Sequence, residues 1–140
     1  MGLTEPPSPV VVDASFVIDG LGGDTGVTDT LETWASEGRT ILAPAIFWPE
    51  LANALLGRRR VFRSEVVTAL RALQAAGVET ADRGPAGIED AVDLAAQHGL
   101  SVYDATYLQL AIDVEGELAT RDRRLAAAAT LEEVPLVEPA

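Results

Sequence analysis

Short apolar runs alternate along this chain with longer stretches in which apolar residues recur every three or four positions. Val10-Val11-Val12 reads as a buried strand, since a run apolar at every position suits a strand covered on both faces. Thr40-Ile41-Leu42-Ala43 and Glu117-Leu118-Ala119-Thr120 carry shorter apolar runs and read as strands, Val78 to Thr80 is a strand expected after Gly77, and Pro135 to Val137 is a candidate last strand. Helical spacing predicts helices over Ser15 to Leu21, Thr28 to Glu37 and Ile46 to Arg58. Further helices are expected around Val66, Leu70 and Leu73, around Ile88, Ala91, Val92 and Ala95, from Ser101 to about Val114, and from Asp122 through Ala129. The breaks agree: Gly22-Gly23-Asp24-Thr25-Gly26 is a loop, Pro44 ends the second strand, Gly77 suits the position past a helix end, and a helix stops near Gly99. Strands separated by helices throughout predict an α/β fold with a mostly parallel central sheet covered on both faces.

Pro6, Pro7 and Pro9 make residues 1–9 a poor start for any element, so a flexible N-terminal segment and a single domain over 10–140 are expected. A chain of 140 residues is long enough to bury one core unaided. The absence of Cys removes thiol nucleophiles, zinc-thiolate sites and disulfide scaffolds, and suits a reducing compartment, so a cytoplasmic protein is expected. The N-terminus lacks a basic segment followed by an apolar one, and no run approaches the roughly 20 apolar residues of a spanning helix, so no membrane association is expected. The net charge of -12 opposes broad attraction to nucleic acid, so any RNA must be held locally. All ten basic residues are Arg, which excludes lysine-dependent chemistry such as phosphate-loop binding and Schiff-base formation.

The candidate chemistry lies in Asp13, Glu50, Asp104 and Asp122, each standing where an apolar run stops or a helix starts. Singly, each has a structural explanation. Asp13 and Asp122 suit helix N-caps, Ser101 with Asp104 has capping-box spacing, and Glu50 near a helix start is favoured by the macrodipole. Capping does not require that three of them follow strands, however, and strand ends in a parallel sheet converge on one crevice. Two carboxylates about 4 Å apart repel by about 4 kcal/mol at an effective dielectric near 20. A divalent cation relieves this, and an all-oxygen donor set with one His and no Cys points to Mg²⁺ or Mn²⁺ and to phosphodiester hydrolysis. Ser15, Asn53 and Thr120 stand beside the acids as candidates to hold them in place, with local capping the competing explanation.

Four segments, VVVDASFVID, PAIFWPELANALL, SVYDATYLQLA and LATRDRRLAAAA, resemble in this order the PIN-domain ribonucleases, and more narrowly the VapC-type toxins of toxin-antitoxin pairs. Together they span almost the whole chain. The resemblance implies a compact three-layer α/β/α PIN fold and a Mg²⁺- or Mn²⁺-dependent endoribonuclease that acts as the toxin. It further implies a homodimer and a cognate antitoxin protein whose tail covers the acidic pocket. It carries Asp13, Glu50, Asp104 and Asp122 over as metal-binding acids. The strongly acidic balance without Lys departs from what a long RNA would need.

Arg58, Arg59, Arg60 and Arg63 form the densest basic patch, suited to an RNA backbone or an acidic partner, or to offsetting a helix C-terminus. Arg121, Arg123 and Arg124 flank Asp122 and can grip neighbouring phosphates or screen the acids. His98 is expected at a helix end, Trp34, Phe47, Trp48 and Phe62 in the core or a dimer contact, and Glu132-Glu133 as solvated charge. Two other functions compete: a PIN-like module that binds protein or RNA with little catalysis, and an aspartate-dependent phosphohydrolase with Asp13 as nucleophile. The latter lacks a second acid two residues after Asp13 and a lysine for the phosphate.

Overall fold

The computed structural model describes residues 6–21 and 26–137; most of the expected glycine-rich loop and residues 1–5 of the expected flexible segment lie outside these. At the centre is a sheet of β1 (Val10–Val12), β2 (Ile41–Ala43), β3 (Val78–Thr80) and β4 (Glu117–Ala119) in the order β3-β2-β1-β4. Every pairing within it is parallel. All of β1 and β2 is buried, which is why these strands are apolar at every position.

Helices α1 (Ala14–Leu21) and α2 (Val27–Ser36) connect β1 to β2, and α3 (Phe47–Asn53) and α4 (Arg63–Ala75) connect β2 to β3. The return to β4 runs through α5 (Pro85–His98) and α6 (Val102–Asp113), and α7 (Arg123–Leu131) follows. The steps from β1 to β2 to β3 cross the sheet one way and the step from β3 to β4 crosses back. Right-handed crossovers therefore place the two sets of helices on opposite faces, giving the three-layer α/β/α sandwich. The direction of winding reverses between β1 and β4, so the crevice for a ligand lies at the carboxyl ends of those two strands.

Three local expectations change. Pro135 to Val137 forms a single parallel bridge, Leu118 to Leu136, and not a strand: Leu118 N–H donates to the Pro135 carbonyl at 2.9 Å and Val137 N–H to the Leu118 carbonyl at 3.0 Å. Pro135 itself has no N–H to extend a ladder. The helix expected from Ile46 to Arg58 is α-helical only to Asn53 and then widens into a π-helical turn over Ala54–Arg58, closed by Arg59 N–H on the Ala54 carbonyl. The end of the expected loose segment is tied down, since the Ser8 carbonyl accepts from Arg39 and the Pro9 carbonyl from Glu117 N–H.

Candidate metal and nuclease site

Asp13 is the first residue past β1 and is buried. Its Oδ1 accepts from the Phe16 N–H at 2.9 Å, capping α1, and from the Ser15 hydroxyl at 2.7 Å. Its Oδ2 accepts from the hydroxyl of Thr120, the first residue past β4, so the two central strand ends are joined at this carboxylate. The Thr120 oxygen also accepts from Asp122 N–H at 3.0 Å, and the Ser15 oxygen from Arg121 N–H at 2.9 Å. Asp122 caps α7, taking the N–H groups of Arg124 and Leu125 on Oδ1 at 2.9 and 3.1 Å. The Ser101 hydroxyl caps α6 by accepting from Asp104 N–H at 3.0 Å, which fixes Asp104 in the first turn. Glu50 stands in the first turn of α3, its Oε2 accepting from the Tyr107 hydroxyl at 3.1 Å. Asp13 and Asp122 thus cap helices as their spacing implied, and those bonds hold their carboxylates; Ser101 caps α6, with no bond from Ser101 N–H back to the Asp104 carboxylate among the described residues, and Glu50 is held by Tyr107.

All four acids line one cavity of about 310 Å³, together with Ser15, Asn53, Arg58 and Tyr107. Burial raises the Asp13 carboxyl above the usual range, against the hydrogen bonds from Thr120, Phe16 and Ser15, and Asp104 pushes it further up. Burial likewise raises Glu50, opposed by Tyr107 and reinforced by Asp104 and Asp13, while Arg58 pulls it down. Asp104 is raised by burial and by Asp122, with Ser101 and Arg124 acting the other way. The Tyr107 hydroxyl is held well above its ordinary value by burial and by Glu50. Charge of one sign is thus concentrated where solvent is reduced, a state that a cation stabilises.

The donor chemistry fits a hard divalent cation, since only oxygens face the cavity from the acids. Among the described residues no three His, Cys, Asp or Glu side chains converge tightly enough to clasp a bare ion. The four carboxylates line the cavity without forming such a clasp.

Of the arginines singled out, Arg58 lines the acidic cavity, and Arg59 joins it around an adjoining hollow of about 220 Å³ with Ser15 and Asp19. Arg121 lies over the Phe16 ring, 5.6 Å from its centroid. Arg63 lines a larger apolar groove of about 720 Å³, formed with Ile46, Leu56, Val66, Val67, Leu70 and Tyr103, which shares Glu50 and Asn53 with the acids. Arg60 and Arg123 are exposed and line none of these cavities. Arg124 is the cation that acts on Asp104. Tyr107 was not anticipated. Its only signal is a position three residues after Asp104, which places both on one side of α6.

Elsewhere, His98 Nε2 and Glu132 Oε2 lie 2.7 Å apart, so Glu132 is a partner of α5 and not a solvated charge. Phe62 is 76% exposed and outside the core, whereas Trp34 and Phe47 are buried. Among the described residues no helix is long and apolar enough to cross a membrane.

The family model described as PIN domain matches residues 10–131. Ribonuclease VapC3 of Pyrobaculum aerophilum is 51% identical over 39 residues, a stretch covering 28% of this chain and only 30% of that relative's length. The crystal structure of Mycobacterium tuberculosis VapC20, described as a sarcin-ricin loop cleaving toxin, superposes with a TM-score of 0.65 at 23% identity over 93% of this chain and 99% of that one. A toxin-antitoxin complex from Klebsiella pneumoniae gives 0.56 at 21% identity, covering 81% of this chain and 86% of that one. These two likenesses speak for the fold.

Proposed function

The chain belongs to the PIN-domain family, and from that premise we propose that it is a divalent-metal-dependent endoribonuclease and the toxin of a toxin-antitoxin pair. The observation that carries this reading is the lining of one cavity by Asp13, Glu50, Asp104 and Asp122, gathered from segments far apart in the chain. These four are the residues that would hold Mg²⁺ or Mn²⁺, one or two of them directly and the others through the ion's water shell. The ion would supply a nucleophilic hydroxide from bound water and charge stabilisation at the scissile phosphate.

The chain's own residues do the rest. Ser15 and Thr120 fix Asp13 from both oxygens, and the α7 cap leaves Oδ2 of Asp122 outside its own bonds. Arg58 at the cavity and Arg59 beside it offset the charge of an incoming phosphate, which a protein of net charge -12 needs locally. Arg121, over the Phe16 ring of α1, is a further cation for RNA or a partner, and Asn53, which lines the cavity with Glu50, would help to hold the acids. Arg60, Arg63 and Arg123 lie farther out and serve a longer RNA or a partner.

The apolar groove that runs up to Glu50 and Asn53 supports an antitoxin protein as partner, and the likeness to the Klebsiella complex agrees. Exposed Phe62, Val67 and Tyr103 are consistent with burial in a homodimer or in that complex. The active unit is residues 10–140, acting in the cytoplasm.

The test is cleavage of cellular RNA by purified protein with Mn²⁺ or with EDTA, using wild type, Asp13→Asn and Asp104→Asn. Wild type cleaves only with Mn²⁺, and both variants lose cleavage while keeping a cooperative melt. Undiminished cleavage by both variants, or equal cleavage in EDTA, sinks the reading.

A further inference from the structure

We infer that the Tyr107 hydroxyl is a positioning group for the cation site: by holding Oε2 of Glu50 it presents Oε1 to the ion. The inference rests on the metal-site reading above and adds to it a residue outside the acid set. Tyr107 is 1% exposed, and its hydroxyl donates to Glu50 Oε2 at 3.1 Å across the cavity between α6 and α3. Among the described residues no protein donor engages Oε1.

Packing alone does not ask for this hydroxyl. A phenylalanine would fill the same space and leave no buried polar atom to satisfy, whereas tyrosine must find a partner for its O–H. The partner it has is a carboxylate facing the cavity, not a backbone carbonyl of its own helix. Glu50 has a long side chain with freedom to lose, and a fixed donor on one oxygen removes that freedom before any ion arrives. Asp122 follows the same plan, with both cap N–H groups on Oδ1 and Oδ2 outside the cap. Because Tyr107 lies one turn after Asp104 on α6, a single helix sets both the Asp104 carboxylate and the group that orients Glu50.

The experiment is Mn²⁺ titration by calorimetry and by thermal shift, on wild type, Tyr107→Phe, Glu50→Gln and the double variant, with no RNA present. Tyr107→Phe is expected to melt near wild type in EDTA and to bind Mn²⁺ about 10- to 100-fold more weakly. Saturating Mn²⁺ should restore most of its RNA cleavage. The double variant should bind no more weakly than Glu50→Gln alone, because the hydroxyl acts through that carboxylate. Equal Mn²⁺ affinity of Tyr107→Phe and wild type overturns the inference while leaving the metal site standing. An additional loss on the Glu50→Gln background overturns it too. If wild type itself binds no Mn²⁺, the metal-site reading falls and takes this inference with it.

Discussion

Asp13 accepts three hydrogen bonds and is still raised above the usual carboxylate range, so its burial outweighs the bonds that favour its charged form. Thr120 is the most influential of those donors and also accepts from Asp122 N–H, which makes one hydroxyl responsible for two acids. Thr120→Val keeps the shape and removes both bonds. It is expected to cost about 1–3 kcal/mol, the scale of leaving a polar group unpaired, and to lower Mn²⁺-dependent cleavage roughly 10- to 100-fold. Chemical denaturation and initial cleavage rates check it, with Thr120→Ser close to wild type. At this scale the sequence was legible where spacing carried the signal: Ser15, Asp122 and the Ser101–Asp104 cap stand as their spacing implied. Tyr107 was not legible, because a tyrosine at helical spacing looks like core and its partner lies 57 residues away.

Asp82 shows what a single side chain does for two elements at once: it accepts from Ala45 N–H, ahead of α3, and from Gly84 N–H, ahead of α5. These bonds lower its pKa below the ordinary 3.8. A depressed native pKa contributes stability that is present above the unfolded value and is lost as pH falls through the native one. Asp82→Asn, which keeps an acceptor but no charge, should therefore lose less melting temperature with acid than wild type does. Asp13, Glu50 and Asp104, all raised, work in the reverse sense: their contribution is complete below their unfolded values and fades as pH rises. Calorimetric melts in EDTA across the acid range separate the two. Ser101→Ala removes the α6 cap and should cost about 1 kcal/mol while loosening Asp104, read as a drop in both melting temperature and cleavage. β1, β2 and β4 could be read from apolar runs and β3 from the Gly77 before it, whereas the π-helical turn could not. Ala54-Leu55-Leu56 are ordinary helix formers, and only the packing around them reveals the wider turn. Likewise the His98–Glu132 pair joins two helices whose proximity no local pattern encodes.

The molecule as a whole depends on β1 pairing with β4, Val10 against Glu117 through Val12 against Ala119. Gly116 sits where that pairing begins, and a Cβ there would lie 2.7 Å from the Pro9 carbonyl oxygen. Gly116→Ala should shift the start of β4, cost about 1–3 kcal/mol as overpacking does, and reduce cleavage by displacing Thr120 from Asp13. A melt together with a cleavage assay decides it, and an unchanged cleavage rate in a destabilised variant would refute the link. The convergence of the acids was legible because a parallel α/β sheet gathers strand ends, while the winding reversal that selects β1 and β4 needed the strand order itself. The same pairing has a bearing on how the protein is made. Asp13 leaves the ribosome early but gains its Thr120 partner only after another 107 residues have been added. Until then the central strand has no neighbour on that side, and no partial chain can assemble the cavity. A site built this way is completed only late in the chain's synthesis, once β4 has emerged and docked against β1.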